Sequence, residues 1–280
     1  MEVTVARGLV PRKDEPQLHF IETKPAQAKA ALALVHGYAD HGARYDHVAR
    51  YFAERGIHVI AIDLRGHGKS EGPRGHCSRF GEFTDDVGEL TKLVSSRAGK
   101  LPACLFGHSF GGLVAAHVGL AHNAPYRGYV LSSPFFGLAL AVPKAKIIAG
   151  KIASRIVPKL GLPSGLMGKD MTHDPARAKE YDTDPLVFGK ATARWFTETQ
   201  AAQAQAIARA PQFDAPLFMS FGTADGVVSY DVGKAFFDAA SSKTKHLETK
   251  TGLFHEVLNE PEWESVASKM AEFVLARAAN

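Results

Sequence analysis

A short apolar run, Ala103-Cys104-Leu105-Phe106, stops at Gly107, continues as His108-Ser109-Phe110-Gly111-Gly112 and runs on into Leu113-Val114-Ala115-Ala116-His117-Val118. No other stretch restricts the fold of this chain so strongly. The run reads as a buried strand, and the segment after Ser109 as a helix packed closely at its first turn. Gly-x-Ser-x-Gly between a strand and a helix is the context of a nucleophile elbow. Gly107 and Gly111 lack a Cβ, so the chain can turn sharply and hold Ser109 in a strained conformation at the tip. The helix N-terminus would turn backbone N–H groups and positive potential toward an oxyanion formed there. Without its flanks the same pattern is only a glycine-rich turn, and a nucleophile needs partners elsewhere in the chain.

The surrounding chain supplies the setting. Val3 and Val5 alternate with polar neighbours and Leu18 to Thr23 forms a second short strand, an antiparallel opening. Ala31-Leu32-Ala33-Leu34-Val35, Ile57 to Asp63 and Gly128 to Pro134 are near-continuous apolar runs bounded by turn residues, as in strands buried on both faces. Helical spacing appears over Val48–Arg55, which ends at Gly56, and over Phe80–Val94. Strand and helix alternate, which predicts a mostly parallel central sheet flanked by helices. The next clear strand is Ala215 to Gly222, an interval far longer than an ordinary crossover. Residues 135–210 are therefore expected to form an inserted helical cap between two parts of one core, 1–134 and 211–280.

The first half of that insertion mixes Ile147, Ile148, Ile152, Ile156 and Val157 with Lys144, Lys146, Lys151, Arg155 and Lys159. A basic amphipathic helix of this kind could touch an anionic membrane surface. The preferred reading is a lid helix with its apolar side over a pocket and its other face solvated, although one helix could do both.

With 33 basic against 29 acidic residues, no run of five or more like charges and no basic patch interleaved with aromatics, nothing points to nucleic acid. His36, His41 and His47 lack a Cys or carboxylate at ligand spacing, so no metal site is expected. Two cysteines make no disulfide framework; Cys104 suits a buried strand and Cys77 a polar loop. The N-terminal residues show no signal peptide and no stretch reaches the length of a membrane span, which together suggest a cytoplasmic protein.

A serine hydroxyl needs a base to take its proton and a carboxylate to orient that base. The acid candidate is Asp225, just past the C-terminal end of a buried strand, the edge where open α/β sheets bind ligands. Asp214 precedes that strand, Asp231 falls in the following helix, and both fit less well. His255, in the loop after the last strand, is the base candidate. His246 should point sideways from within or beside that strand, and His108 adjoins Ser109 at a turn that aims the two side chains apart. The oxyanion hole should combine the backbone N–H groups of Phe110 and Tyr38.

These stretches resemble the α/β-hydrolases of the monoacylglycerol lipase and lysophospholipase group. The resemblance is carried by His36-Gly37-Tyr38-Ala39-Asp40-His41-Gly42-Ala43-Arg44-Tyr45, by Asp63-Leu64-Arg65-Gly66-His67-Gly68-Lys69-Ser70, by Gly107-His108-Ser109-Phe110-Gly111-Gly112, by Asp184-Pro185-Leu186-Val187, and by the Asp225 and His255 segments. It covers most of the chain from about Leu32 onward. It implies an α/β-hydrolase fold, a Ser109–His255–Asp225 triad, no cofactor, and a lipid ester with one acyl chain as substrate. The group often carries Met where this chain has Phe110, a change that could narrow the acyl entrance. An acyltransferase, an aminopeptidase of the same superfamily and a non-catalytic binding protein on the same fold are the alternatives.

Overall fold

The alternating opening residues form β1 (Val3–Val10), which turns back antiparallel on β2 (Leu18–Pro25), with Val10 opposite Leu18. The chain then alternates through β3 (Ala30–Val35), α1 (Asp46–Ala53), β4 (Ile57–Ile62), α2 (Gly81–Ala98), β5 (Ala103–His108), α3 (Phe110–Leu120) and β6 (Tyr129–Ser132). A long excursion follows: α4 (Lys144–Ile156), β7 (Gly161–Pro163), α5 (Gly168–Met171), α6 (Pro175–Thr183), β8 (Lys190–Thr192) and α7 (Ala193–Arg209). The chain returns as β9 (Leu217–Gly222), α8 (Tyr230–Ala239), β10 (Lys245–Lys250) and α9 (Trp263–Ala278). This is a computed structural model, and it describes residues 2–140 and 142–279.

Eight strands make one sheet in the order β1-β2-β4-β3-β5-β6-β9-β10, parallel from β4 to β10 and antiparallel at β1 and β2. Every residue of β3, β4, β5 and β9 is buried. That is why their sequences are continuous apolar runs: both faces are covered. On one face α2 contributes Phe83, Val87, Leu90 and Val94, at helical spacing. On the other, Val48 and Phe52 of α1 meet Val266, Met270 and Val274 of α9. Phe52 and Phe83 are fully enclosed, and each such side chain contributes on the order of 2 kcal/mol through burial.

The strand order positions the site. β3 lies between β4 and β5, so the chain moves one way across the sheet after β3 and the other way after β5. Loops leaving the C-terminal ends of two such strands diverge and open a crevice. Val35 of β3 pairs with Gly107 of β5, which brings the Tyr38 loop alongside the elbow.

The excursion is not wholly helical. β7 and β8 form a short antiparallel ladder, Gly161 opposite Thr192. Three-residue strands are too short to leave an alternation in the sequence. The lid-helix expectation also needs correcting. Ile148, Ile152 and Ile156 follow one another every four residues along α4 and are 59%, 55% and 74% exposed. The side turned toward the cavity carries the small residues Ala149, Gly150 and Ala153, together with Lys146. The reason is packing on α7. Ser154 Oγ lies 2.7 Å from Thr197 Oγ1, and Gly150 leaves room for Phe196. The small side of α4 therefore faces in, while Ile148, Ile152 and Ile156 face out and Ile147 is half-buried. Lys144 of the same expectation lies outside the described side chains.

Cys77 is not in a polar setting either. It is 2% exposed and joins the apolar cluster of Phe80 and Phe83, because its loop folds in against α2. Burial pushes its thiol up to about 12, so it is inert as a nucleophile. Among the described residues no helix is long and apolar enough to cross a membrane.

Candidate active site

The elbow is built by close approach. A Cβ on Gly107 would run into the carbonyl of Gly111, and a Cβ on Gly111 into the carbonyls of His36 and Val35. Neither glycine adopts positive φ; that strain falls on Ser109 itself, at φ 51° and ψ −116°. Three backbone hydrogen bonds hold it there. Ser109 N–H donates to the Ser132 carbonyl at 2.9 Å, and its own carbonyl accepts from Phe135 N–H at 2.9 Å and Leu113 N–H at 3.1 Å.

The loops after β9 and β10 bring Asp225 and His255 to the same place. Ser109 Oγ lies 2.9 Å from His255 Nε2, and His255 Nδ1 lies 2.8 Å from Asp225 Oδ2. A carboxylate only accepts, so Nδ1 carries the proton and Nε2 is free to accept from the serine hydroxyl. Asp225 also works as a turn cap: its Oδ1 accepts from Val227 N–H at 2.8 Å and Val228 N–H at 3.0 Å. The capping and the orienting roles coexist on different oxygens of one carboxylate.

Electrostatics favour this arrangement. Burial pulls the His255 imidazole down, but the charge of Asp225, its hydrogen bond, and then Glu256 and Asp40 hold it above the ordinary value. Burial pushes Asp225 up, and His255 with the bonds from Val228 and Val227 brings it below the usual carboxylate range. His108 is different. Burial and the neighbouring His255 bring it down to about 4. Its Nδ1 faces Ser132 Oγ at 3.4 Å and its ring lies 4.9 Å from that of His255, so it packs beside that ring without competing for Ser109. His246 is on β10, half exposed and stacked on Phe218. Asp214 meets His122 and Asp231 lies on α8, both apart from Ser109.

The N–H groups of Tyr38 and Phe110 have no acceptor among the described residues. Phe110 is the first residue of α3, where the backbone N–H has no partner within the helix. His36 holds the other peptide. Its Nε2 accepts from Leu64 N–H at 2.9 Å, so Nδ1 donates to the Gly37 carbonyl at 2.7 Å. That bond fixes the peptide whose N–H belongs to Tyr38.

Above Ser109 lies a cavity of about 760 Å³ walled by apolar groups such as Leu138, Val142, Leu162, Leu166, Met171 and Trp195. The Phe110 side chain takes no part in that wall. It is fully buried against Phe83, Phe80 and Trp195, so it cannot narrow an acyl entrance. Tyr38 and Trp195 line the cavity instead, their ring centres 3.8 Å apart. The Tyr38 hydroxyl donates to the Lys190 carbonyl at 2.7 Å, tying this loop to β8.

Two residues of the cavity lining, Asp40 and Glu256, and the arginine that pairs with both, Arg44, escaped the sequence reading. Arg44 makes a bidentate pair with Glu256, both bonds 2.8 Å, and reaches Asp40 at 3.1 Å. Asp40 and Arg44 lie in the loop that carries the family resemblance. Glu256 adjoins His255, and nothing local in the sequence marks it as a partner of residues two hundred positions away. Among the described residues no cluster of His, Cys, Asp and Glu is placed to hold a metal ion.

A mostly parallel sheet of this order, with a serine at a strained strand-to-helix turn backed by histidine and carboxylate, defines an α/β-hydrolase. The chain belongs to the serine aminopeptidase S33 family of that class, whose sequence profile matches residues 26–262. It is 30% identical over 261 residues to a monoacylglycerol lipase of Mycolicibacterium smegmatis, covering 92% of each chain. It is 32% identical over 239 residues to a phospholipase of Bacillus subtilis, covering 85% of this chain and 92% of the relative. The crystal structure of Paleococcus ferrophilus monoacylglycerol lipase superposes with a TM-score of 0.80 at 28% identity, over 99% of this chain and all of the other. The chain is thus a carboxylic ester hydrolase of the monoacylglycerol lipase-like kind.

Proposed function

We propose that the protein hydrolyses esters of lipids with one acyl chain, monoacylglycerols foremost, through an acyl-enzyme on Ser109. The observation that carries this is the relay Ser109 Oγ–His255 Nε2 at 2.9 Å and His255 Nδ1–Asp225 Oδ2 at 2.8 Å beneath a mainly apolar cavity of about 760 Å³. His255 takes the serine proton as Oγ attacks the ester carbonyl. The tetrahedral oxyanion receives hydrogen bonds from the N–H groups of Tyr38 and Phe110; one such donor is typically worth about 10²–10³ in turnover. The C–O bond to the alcohol breaks, and His255 passes its proton to the leaving oxygen. Water, deprotonated by His255, then attacks the acyl carbonyl, releases the fatty acid and returns the proton to Ser109. Asp225 keeps its charge throughout and steadies the imidazolium.

Charge beside the base favours a neutral head group. Two carboxylates, Asp40 and Glu256, face one guanidinium, Arg44, at the polar end of the cavity. Next to His255 this leaves one net negative charge, which repels a phosphate more than a glycerol; the cation of the lining, Lys146, is on α4. The exposed isoleucines of α4, with Lys151 and Arg155 on the same helix, suit transient contact with an anionic lipid surface from which substrate would enter. We assign the protein to the cytoplasm, its two cysteines being free thiols. The insertion 135–210 acts as the cap in this reading.

A chain-length series of monoacylglycerols, measured beside lysophospholipids, p-nitrophenyl esters and peptide amides, tests the reading. Higher kcat/KM on peptide amides than on any ester overturns it. So does acyl transfer to glycerol that outruns hydrolysis.

A further inference from the structure

Glu260 is fully buried, yet no part of the chemistry above uses it. Donors from two parts of the chain converge on its carboxylate. Phe254 N–H donates to Oε1 at 2.6 Å. His173 N–H donates to Oε2 at 2.8 Å, and His173 Nδ1 lies 3.0 and 3.1 Å from the two oxygens. The first donor precedes the base His255; the others belong to the inserted cap. The rings of His173 and Phe254 stack at 3.7 Å with 25° between their planes. On the far side of His255, Glu256 N–H donates to the Met171 carbonyl at 2.8 Å. Thr172 Oγ1 closes the seam by donating to the Asn259 carbonyl at 2.8 Å.

The two residues flanking His255 are therefore both bonded into one cap segment, Met171 to His173, or into the carboxylate that grips it. The core contributes an anchor of its own, Ser133 Oγ donating to the His255 carbonyl at 2.8 Å. The Arg44–Glu256 pair and Ala224 N–H on the Leu253 carbonyl at 3.0 Å hold the same loop from the core side, and the cap contacts brace it from the other. Met171 also lines the cavity, so the segment that braces the base is in contact with the substrate space.

We propose that Glu260 is a positioning residue that locks the cap to the loop bearing His255, so that the base is aligned with Ser109 only while Met171–His173 is seated. The inference rests on the reading of His255 as the base. It makes the cap part of the catalytic alignment as well as a wall of the pocket. A filled cavity that steadies Met171 would steady the base with it.

Glu260→Gln is nearly isosteric but replaces one acceptor oxygen with a donor NH₂ aimed at N–H groups that already point there. His173→Ala removes the stack and the Nδ1 bond at a side chain that is 46% exposed, where the fold tolerates change. His246→Ala, half exposed on β10, is the control. The readouts are kcat and KM on a monoacylglycerol, the rate of fluorophosphonate labelling of Ser109, thermal unfolding, and the low-field proton resonance of His255 Nδ1–H. For Glu260→Gln, kcat and labelling should fall about 10- to 100-fold, the scale of a small misalignment of reacting groups. His173→Ala should show a smaller loss in the same direction, with KM unchanged. The resonance should shift or broaden in both variants and stay in place in His246→Ala.

Wild-type kcat and labelling in both variants, or losses seen only in KM or Tm with the resonance unmoved, overturn the inference. Should Glu260→Gln fail to fold, His173→Ala decides on the same measurements. A wild-type protein whose Ser109 takes no label overturns the hydrolase reading itself; a labelled wild type beside equally labelled variants overturns the clamp alone.

Discussion

One oxygen of Asp225 lies 2.8 Å from His255 Nδ1, while the other is taken up by the N–H groups of Val227 and Val228. Division of labour within one carboxylate makes its amide variant informative. In Asp225→Asn the amide oxygen can still cap the Val227 turn, which puts the NH₂ group toward the imidazole. The imidazole must then accept at Nδ1 and present a proton, in place of a lone pair, to Ser109. Turnover of a p-nitrophenyl ester should fall by about 10³–10⁴ with little change in thermal unfolding. A loss below tenfold would remove Asp225 from the relay.

The pH profile follows from the state of His255. With His255 as the proposed base, activity requires the neutral imidazole, and its pKa is held above the ordinary value despite burial, mainly by Asp225 and then by Glu256 and Asp40. kcat/KM should therefore rise with pH through one ionisation that lies above about 6.5, the ordinary imidazole value. Glu256→Gln removes a raising charge and leaves Arg44 less compensated, so the midpoint should move to lower pH. An unchanged or higher midpoint contradicts the assignment.

Arg44 sets up a test of stability with an unusual sign. Burial pushes Glu256 and Asp40 up, and the Arg44 guanidinium, the strongest opposing influence on each, brings both below their ordinary values. Their folded-state pKa values are depressed, so the stability they contribute is present above about pH 4 and fades as pH falls below it. Arg44→Ala leaves two buried carboxylates unpaired and should cost about 3–5 kcal/mol at neutral pH. In that variant burial and mutual repulsion raise their pKa values, so the penalty should shrink toward pH 5 as one carboxyl takes up a proton. Urea titrations of both proteins across that range would show whether the gap narrows.

The elbow glycine Gly111 has no room for a methyl group, because its Cβ would meet the carbonyls of His36 and Val35. These are backbone atoms of β3 and of the loop that carries the Tyr38 N–H. Gly111→Ala should cost about 3 kcal/mol and slow turnover through displacement of that loop. Full stability in chemical denaturation would show that β3 and α3 can move apart freely.

The outward isoleucines of α4 can be separated from the chemistry. Replacing Ile148, Ile152 and Ile156 with serine removes exposed apolar surface without touching the cavity wall. Hydrolysis of a soluble short-chain ester should be unchanged. Co-sedimentation with anionic phospholipid vesicles should weaken, as should hydrolysis of monoacylglycerol presented in them. Added salt should weaken the wild type's binding as well, through Lys151 and Arg155. Equal vesicle binding by variant and wild type would place the membrane contact elsewhere.

Local chemistry decided much of this protein before any contact formed. The buried runs of β3, β4 and β9 and the strand–Gly-x-Ser-x-Gly–helix turn are written in spacing and residue type, because each depends on neighbours a few positions away; Asp225 and His255 are picked out by their places in the loops after the last two strands. The eighty residues after Pro134, too many for an ordinary crossover, raise the expectation of an insertion. What the insertion does with its side chains was not legible. A 3.6-residue period shows that α4 has two unlike faces, but only its packing on α7 decides that Ala149, Gly150 and Ala153 turn inward and Ile148, Ile152 and Ile156 outward. Phe110 beside the serine gave no sign that its ring would sink among Phe80 and Phe83, since that direction is set by the backbone of Ser109 at the turn. Arg44 with Glu256, and Glu260 with His173, join residues far apart in sequence around fully enclosed carboxylates. A buried charge must find its partner wherever the chain passes, and tertiary structure alone determines where that is.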